Sequence, residues 1–216
     1  MHVLIINGSP RIKAHSNTDK ILEKFTKGMT SKAATFKQYE ISDRKQWDDI
    51  RKAFDESSEI LIAIPLYVEC IPGLLIEFLE TLTPKKGDAR ISFILQGGFA
   101  EGIQLRCGEE YLKILSENLG CTYGGTLVKG DNFSIRFFEG EQRDKITSRY
   151  EEMGCEYAVN GNFHSEKCRK FTGPEILSAP VRLFVGLLQK TLAKKMFARI
   201  AEGWGCTKPL DYRPYQ

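Results

Sequence analysis

Residues 7–18, Asn-Gly-Ser-Pro-Arg-Ile-Lys-Ala-His-Ser-Asn-Thr, follow directly on the apolar run Val3-Leu4-Ile5-Ile6. One loop therefore gathers the hydroxyls of Ser9, Ser16 and Thr18, the Asn17 amide and the Arg11 guanidinium. Hydrogen-bond donors of this kind cradle an anion, and a phosphate suits them best. A helix beginning here adds unpaired backbone N–H groups and the positive end of a helix dipole. Gly8 lets the chain turn sharply out of the preceding strand, and Pro10 stiffens the turn. The same letters exclude several phosphate chemistries. The loop has no G-x-G-x-x-G and no G-K-[ST], which removes a dinucleotide fingerprint and a nucleoside triphosphatase loop. It has no cysteine, which removes a cysteine-based phosphatase. What remains is a phosphate monoester held in place without chemistry being done on it.

Two further segments fall at equivalent places. "IPLYVECIPGLLIEFLE" (64–80) puts Pro65, Leu66, Tyr67 and Val68 just past a second apolar run, and "LQGGFAEG" (95–102) puts Gly97, Gly98 and Phe99 just past a third. In an open α/β sheet, ligands bind beyond the carboxyl ends of the strands. Three such loops on one sheet edge make a groove with a phosphate pocket at one end and aromatic and backbone groups along its wall. A flat, amphipathic ring with a phosphorylated tail fits that shape.

The elements that must position these loops are legible as a strand–helix alternation. Strands are predicted over 2–7, 35–41, 59–64, 90–95 and 121–128, the first, third and fourth being apolar on both faces as in a central parallel sheet. Helices are predicted over 18–29, 47–54, 72–82, 104–119 and, more polar, 141–159. Pro72 suits a first helical position and Gly120 a helix end. This order implies right-handed crossovers and a doubly wound parallel sheet. From about residue 165 the rhythm breaks. Apolar residues at 183, 184, 187, 188, 192, 196, 197 and 200 form an amphipathic helix with a basic outer face. Such a helix docks on the domain or on a second subunit; the alternative is weak contact with an anionic membrane surface.

"LIINGSPR…SNT", "PLYV…IPGLLIEFLE" and "QGGFAEG" are similar to the three flavin mononucleotide loops of the flavodoxin-like NAD(P)H-dependent reductases, a resemblance covering residues 1–130 or so. It implies a flavodoxin-like α/β fold with five parallel strands and helices on both faces. The domain would span 1–164, followed by a basic helical extension over 165–216. The resemblance further implies that FMN phosphate is held by Ser9, Arg11, Ser16, Asn17 and Thr18. The isoalloxazine would lie between Pro65, Leu66, Tyr67 and Val68 on one side and Gly97, Gly98 and Phe99 on the other. The implied activity is an oxidoreductase passing electrons from NADH or NADPH to a small acceptor (a flavin, quinone, nitro or azo compound), in a homodimer. Flavin carries that chemistry, so no side chain is assigned as a catalyst. A flavodoxin-like electron carrier or a flavin-binding interaction module is the alternative.

Composition narrows the class further. A net charge of +3 over 216 residues creates no general field for nucleic acid, and none is expected as a partner. Ten Lys/Arg against four acids over 165–216 give that region about +6 and the remainder about −3. The amino-terminal apolar run is too short for a signal peptide or a membrane span, so a cytoplasmic location is expected. The six cysteines have neither C-x-x-C spacing nor the compact motif of iron–sulfur relatives. Buried free thiols are therefore expected, with no metal site or cluster.

Overall fold

Five short runs rich in β-branched and aliphatic residues form the strands: β1 (His2–Asn7), β2 (Thr35–Glu40), β3 (Glu59–Pro65), β4 (Arg90–Gln96) and β5 (Thr122–Lys129). The structure is a computed structural model and describes residues 1–213 and Tyr215. The strands pair in parallel in the order β2-β1-β3-β4-β5, the flavodoxin-like arrangement. β1, β3 and β4 are central and almost wholly buried, whereas the edge strand β2 alternates exposed and covered side chains. The residue pattern explains this: Val3–Ile6 and Ile60–Ile64 offer no polar face to solvent, while Thr35–Glu40 does.

Helices cover both faces. On one, α2 (Trp47–Glu56), α3 (Gly73–Leu79) and α4 (Arg106–Asn118) enclose Leu4, Ile6, Ile62 and Phe93. On the other, α1 (Asn17–Ser31) and α6 (Arg149–Asn160) enclose Val3, Ile5, Leu61 and Ile94. A 3-10 turn over Gly102–Leu105 precedes α4, which accounts for the earlier helix start read from sequence. The polar segment 141–159 forms two helices, α5 (Gly140–Thr147) and α6. The break falls where the Thr147 and Ser148 hydroxyls donate to the carbonyls of Arg143 and Lys145, a local competition with the helix ladder. α6 is not a solvated helix: Tyr150, Met153, Gly154 and Tyr157 are buried against α1.

The first compact unit runs from Met1 to Glu175 and ends with α7 (Glu166–Phe171). The second, from Ile176, contains α8 (Ala179–Leu188), a π-helical turn over Gln189–Ala193 and α9 (Lys194–Gly203). No described helix is long and apolar enough to cross a membrane. All six thiols are free, but only Cys121 and Cys168 are buried; Cys70, Cys107 and Cys206 are exposed, against the expectation of buried thiols.

Candidate functional site

Because all strands run the same way, the loops after β1, β3 and β4 emerge on one edge of the sheet. The loop after β1 enters α1 through Ser16, whose Oγ accepts the Asp19 N–H at 3.2 Å as a helix cap. Ser9 Oγ accepts the Arg11 N–H at 3.3 Å, and Thr18 Oγ1 accepts from Gln96 Nε2 at 3.4 Å. All three side chains are buried. A hydroxyl has a single proton. With a protein donor already facing each oxygen, each proton remains available to a further acceptor. The first-turn amides of Asn17 and Thr18 have no carbonyl one turn behind them and add two more donors. Arg11 is exposed at the rim.

Asn17 narrows the ligand further. Its Nδ2 donates to the Asn132 carbonyl at 2.8 Å, which fixes the amide, while its Oδ1 is buried and without a partner among the described residues. An unpaired buried acceptor costs roughly 1–3 kcal/mol. A hydroxyl on the ligand would satisfy it, so the site suits an anion attached to a hydroxyl-bearing chain. Below the loop, Asn7 Nδ2 donates to both Asp19 and Glu40 at 2.8 and 2.6 Å. Burial pushes the Glu40 carboxyl above its usual value, against the hydrogen bond from Gln38.

The other two loops are stitched together by the sheet. Pro65 lies beside Gln96 and Gln96 beside Lys129 in the strand register. The Leu66 N–H donates to the Gln96 carbonyl at 2.7 Å, and the Gly97 N–H to that of Lys129 at 3.1 Å. Pro65, Leu66 and Gly97 are buried, while Tyr67, Val68, Gly98 and Phe99 are exposed along the wall. Tyr67 and Cys70 exchange two backbone hydrogen bonds, of 2.8 and 3.1 Å, around a turn in which Val68 and Glu69 have φ of 47° and 68°. Positive φ at both central residues is the type I′ pattern, normally filled by Asn-Gly. A β-branched residue is strained there. Val68→Gly is expected to raise the unfolding free energy by about 0.5–1 kcal/mol, the relief of strain exceeding the added chain entropy. A urea midpoint equal to or below that of the parent protein would contradict this reading.

A fourth segment, not read from the sequence, joins the site. Asn132 is buried; its N–H donates to the Gly97 carbonyl, its Nδ2 to the Lys129 carbonyl, and its Oδ1 accepts from Tyr150 at 3.2 Å. With the bond from Asn17, this residue ties the hydroxyl loop to the glycine loop. The 3-10 turn that follows (Phe133–Phe137) stacks Arg136 on Phe133 and Phe137, 4.9 and 5.0 Å from the ring centroids. Burial, and next the Arg11 guanidinium, push Arg136 below its usual guanidinium value, while Tyr67 acts the other way. Burial and then Arg143 likewise lower the Lys20 ammonium. The Arg11 and Arg143 cations thus add to burial at these two groups, while Asp19 and Glu139 oppose them at Lys20. The only sequence signal for Arg136 was its aromatic setting, Phe-Ser-Ile-Arg-Phe-Phe. Asn132 gave none, and Gln96 showed only as the first letter of the glycine-loop motif. Among the described residues, no group of three or more His, Cys, Asp or Glu is placed to hold a metal ion.

A family model described as NADPH-dependent FMN reductase matches residues 1–128. A comparison with curated protein sequences finds no match. Among solved structures, an FMN-dependent NADH-azoreductase from Bacillus anthracis, in complex with FMN, is 14% identical. It covers 73% of this chain and 100% of its own, with a TM-score of 0.54. An NAD(P)H:quinone oxidoreductase from Methanothermobacter marburgensis is 13% identical over 77% and 98% of the two chains, at a TM-score of 0.57. An NADH:FMN oxidoreductase solved in the apo form is 14% identical over 80% and 96%, at 0.55. At such identities the structural likeness speaks for the fold alone.

Proposed function

Because this chain belongs to the NADPH-dependent FMN reductase family, we propose that its hydroxyl loop, proline loop and glycine loop hold FMN as sequence similarity implied. The protein is an NAD(P)H-dependent FMN oxidoreductase. When bound, FMN would supply the two-electron chemistry between a nicotinamide and an acceptor. The residues of the chain bind and orient. Ser9, Ser16 and Thr18 donate to the phosphate, with Arg11 closing the rim. Asn17 Oδ1 accepts from the ribityl chain. Pro65, Leu66, Tyr67 and Val68 border one side of the ring, and Gly97, Gly98 and Phe99 the other. No side chain needs to act as an acid or base.

The observation that carries this reading is the set of three buried hydroxyls whose oxygens already face protein donors. The acceptor class we assign is a small quinone, azo, nitro or flavin compound, supported by the open wall at Tyr67 and Phe99. We assign a homodimer, supported by the exposed apolar stripe of Ile103, Tyr111 and Ile114 leading into and along α4. The six free thiols suit a reducing cytoplasm. The test is an absorbance spectrum of the purified protein followed by anaerobic addition of NADH or NADPH. A yellow protein whose flavin band bleaches, and recovers with a quinone or azo acceptor, is expected. A yellow protein that no nicotinamide bleaches would indicate a carrier or interaction module instead, and a protein left colourless by added FMN would remove the cofactor assignment.

A further inference from the structure

The second unit combines features that a packed domain does not need. From Ala179 to Gly203 the chain is helical without a gap, about 37 Å long at ~1.5 Å rise per residue. None of its side chains is buried. α8 is nevertheless apolar almost all the way round, with Arg182 its only charge. Leu183, Phe184 and Leu187 are 69%, 62% and 59% exposed. The π-helical turn at Gln189–Ala193 delays the helical phase by about one residue. Met196, Phe197, Ile200 and Trp204 thereby fall in line with Val181, Phe184, Val185 and Leu188, and Lys195 and Arg199 fall beside that stripe.

Charge selects what covers this surface. Residues 176–216 hold seven Lys/Arg and two acidic side chains, about +5, which leaves about −2 for residues 1–175. Symmetric pairing with a second copy would bring two such cationic segments face to face, which like-charge repulsion opposes. An anionic bilayer offers the opposite charge together with an apolar layer. A basic helix with Phe, Leu and Trp on its apolar side lies in the plane of such a surface. Tryptophan and tyrosine sit well at the headgroup level, where Trp204 and Tyr212 follow the helix. Its charges rule out a span, and no described helix can make one.

We propose that residues 176–213 are an in-plane anchor for an anionic phospholipid surface, through which this reductase works at a membrane without crossing it. The inference is independent of the flavin assignment.

The full-length protein is mixed with vesicles of phosphatidylcholine alone, or of phosphatidylcholine with phosphatidylglycerol. Binding is followed by co-sedimentation and by tryptophan emission. The chain has two tryptophans, of which Trp47 is 8% and Trp204 70% exposed, so a shift reports the carboxyl-terminal segment. Binding and a blue shift with the anionic vesicles only, weakened by salt, are expected. Each basic residue at an anionic surface is worth about a fivefold gain in partitioning. The triple variant K190E/K195E/R199E is therefore expected to lose at least about a hundredfold, and F184S/L187S to lose binding with its melting temperature unchanged. No binding, or equal binding to both vesicle types, overturns the proposal. So does a fall in oligomeric mass for both variants without vesicle binding in the parent, since a second copy would then be the occupant.

Discussion

Gly154→Ala is expected to cost about 3 kcal/mol or more of folding free energy and to weaken FMN binding at a distance. A Cβ at Gly154 would stand 1.9 Å from the Phe25 carbonyl oxygen and 3.0 Å from the Met29 nitrogen. The approach is reciprocal, since a Cβ at Gly28 would stand 1.9 Å from the Glu151 carbonyl oxygen. Both obstacles are helix backbone, which cannot rotate aside as a side chain does. α1 and α6 would have to separate by more than an ångström, opening the layer in which Phe25, Tyr150, Met153 and Tyr157 pack. Overpacking usually costs about 1–3 kcal/mol and more where nothing yields, against a helix-propensity gain of only about 0.5–1. The first turn of α1 and its cap carry Ser16, Asn17 and Thr18, so a displaced helix would also misplace the proposed phosphate donors. Urea unfolding of the apoprotein and an FMN fluorescence titration measure the two effects. Gly186→Ala, where an added Cβ meets nothing within 4 Å, serves as the control and should be neutral or slightly stabilising. A raised midpoint for Gly154→Ala would mean that the helices do not cross this closely.

That crossing also marks where the sequence stopped being readable. β1, β3 and β4 announce themselves because a strand buried on both faces has no polar position to confuse its pattern. Once they are parallel neighbours, their loops must share an edge, and the three candidate loops follow without knowledge of any contact. The region after β5 is different, because its roles are tertiary. Tyr150, Met153, Gly154 and Tyr157 do have helical spacing, but Glu151, Glu152 and Glu156 lie between them and mask the stripe. Asn132 joins two loops through backbone carbonyls, and no local pattern signals that. The turn at Val68-Glu69 lacks the Asn or Gly that marks its type, since its conformation is imposed by the bridge between Tyr67 and Cys70. Cys70 was expected to be buried like the other free thiols, yet that bridge leaves it exposed.

Thr18→Val should raise the dissociation constant for FMN by about 10- to 150-fold and leave that for riboflavin unchanged. The substitution conserves shape at a side chain only 1% exposed, so the helix and its surroundings keep their packing. It would remove one proton donor from the proposed phosphate cradle. A hydrogen bond to a charged group is worth roughly 1.5–3 kcal/mol, which gives that range at about 1.4 kcal/mol per decade. Gln96 loses its partner, but that bond is long at 3.4 Å, and the cost falls on the apoprotein and on both ligands alike. Ser16→Ala is a poorer probe, because the same oxygen caps α1 and its loss costs about 1 kcal/mol of folding as well. The comparison of ligands isolates the phosphate: riboflavin has the ring and ribityl chain but no anionic end. Equal losses for both would place Thr18 against the ring or chain rather than the phosphate. Unchanged FMN affinity would remove the hydroxyl cradle, and with it the reason for siting the cofactor at the start of α1.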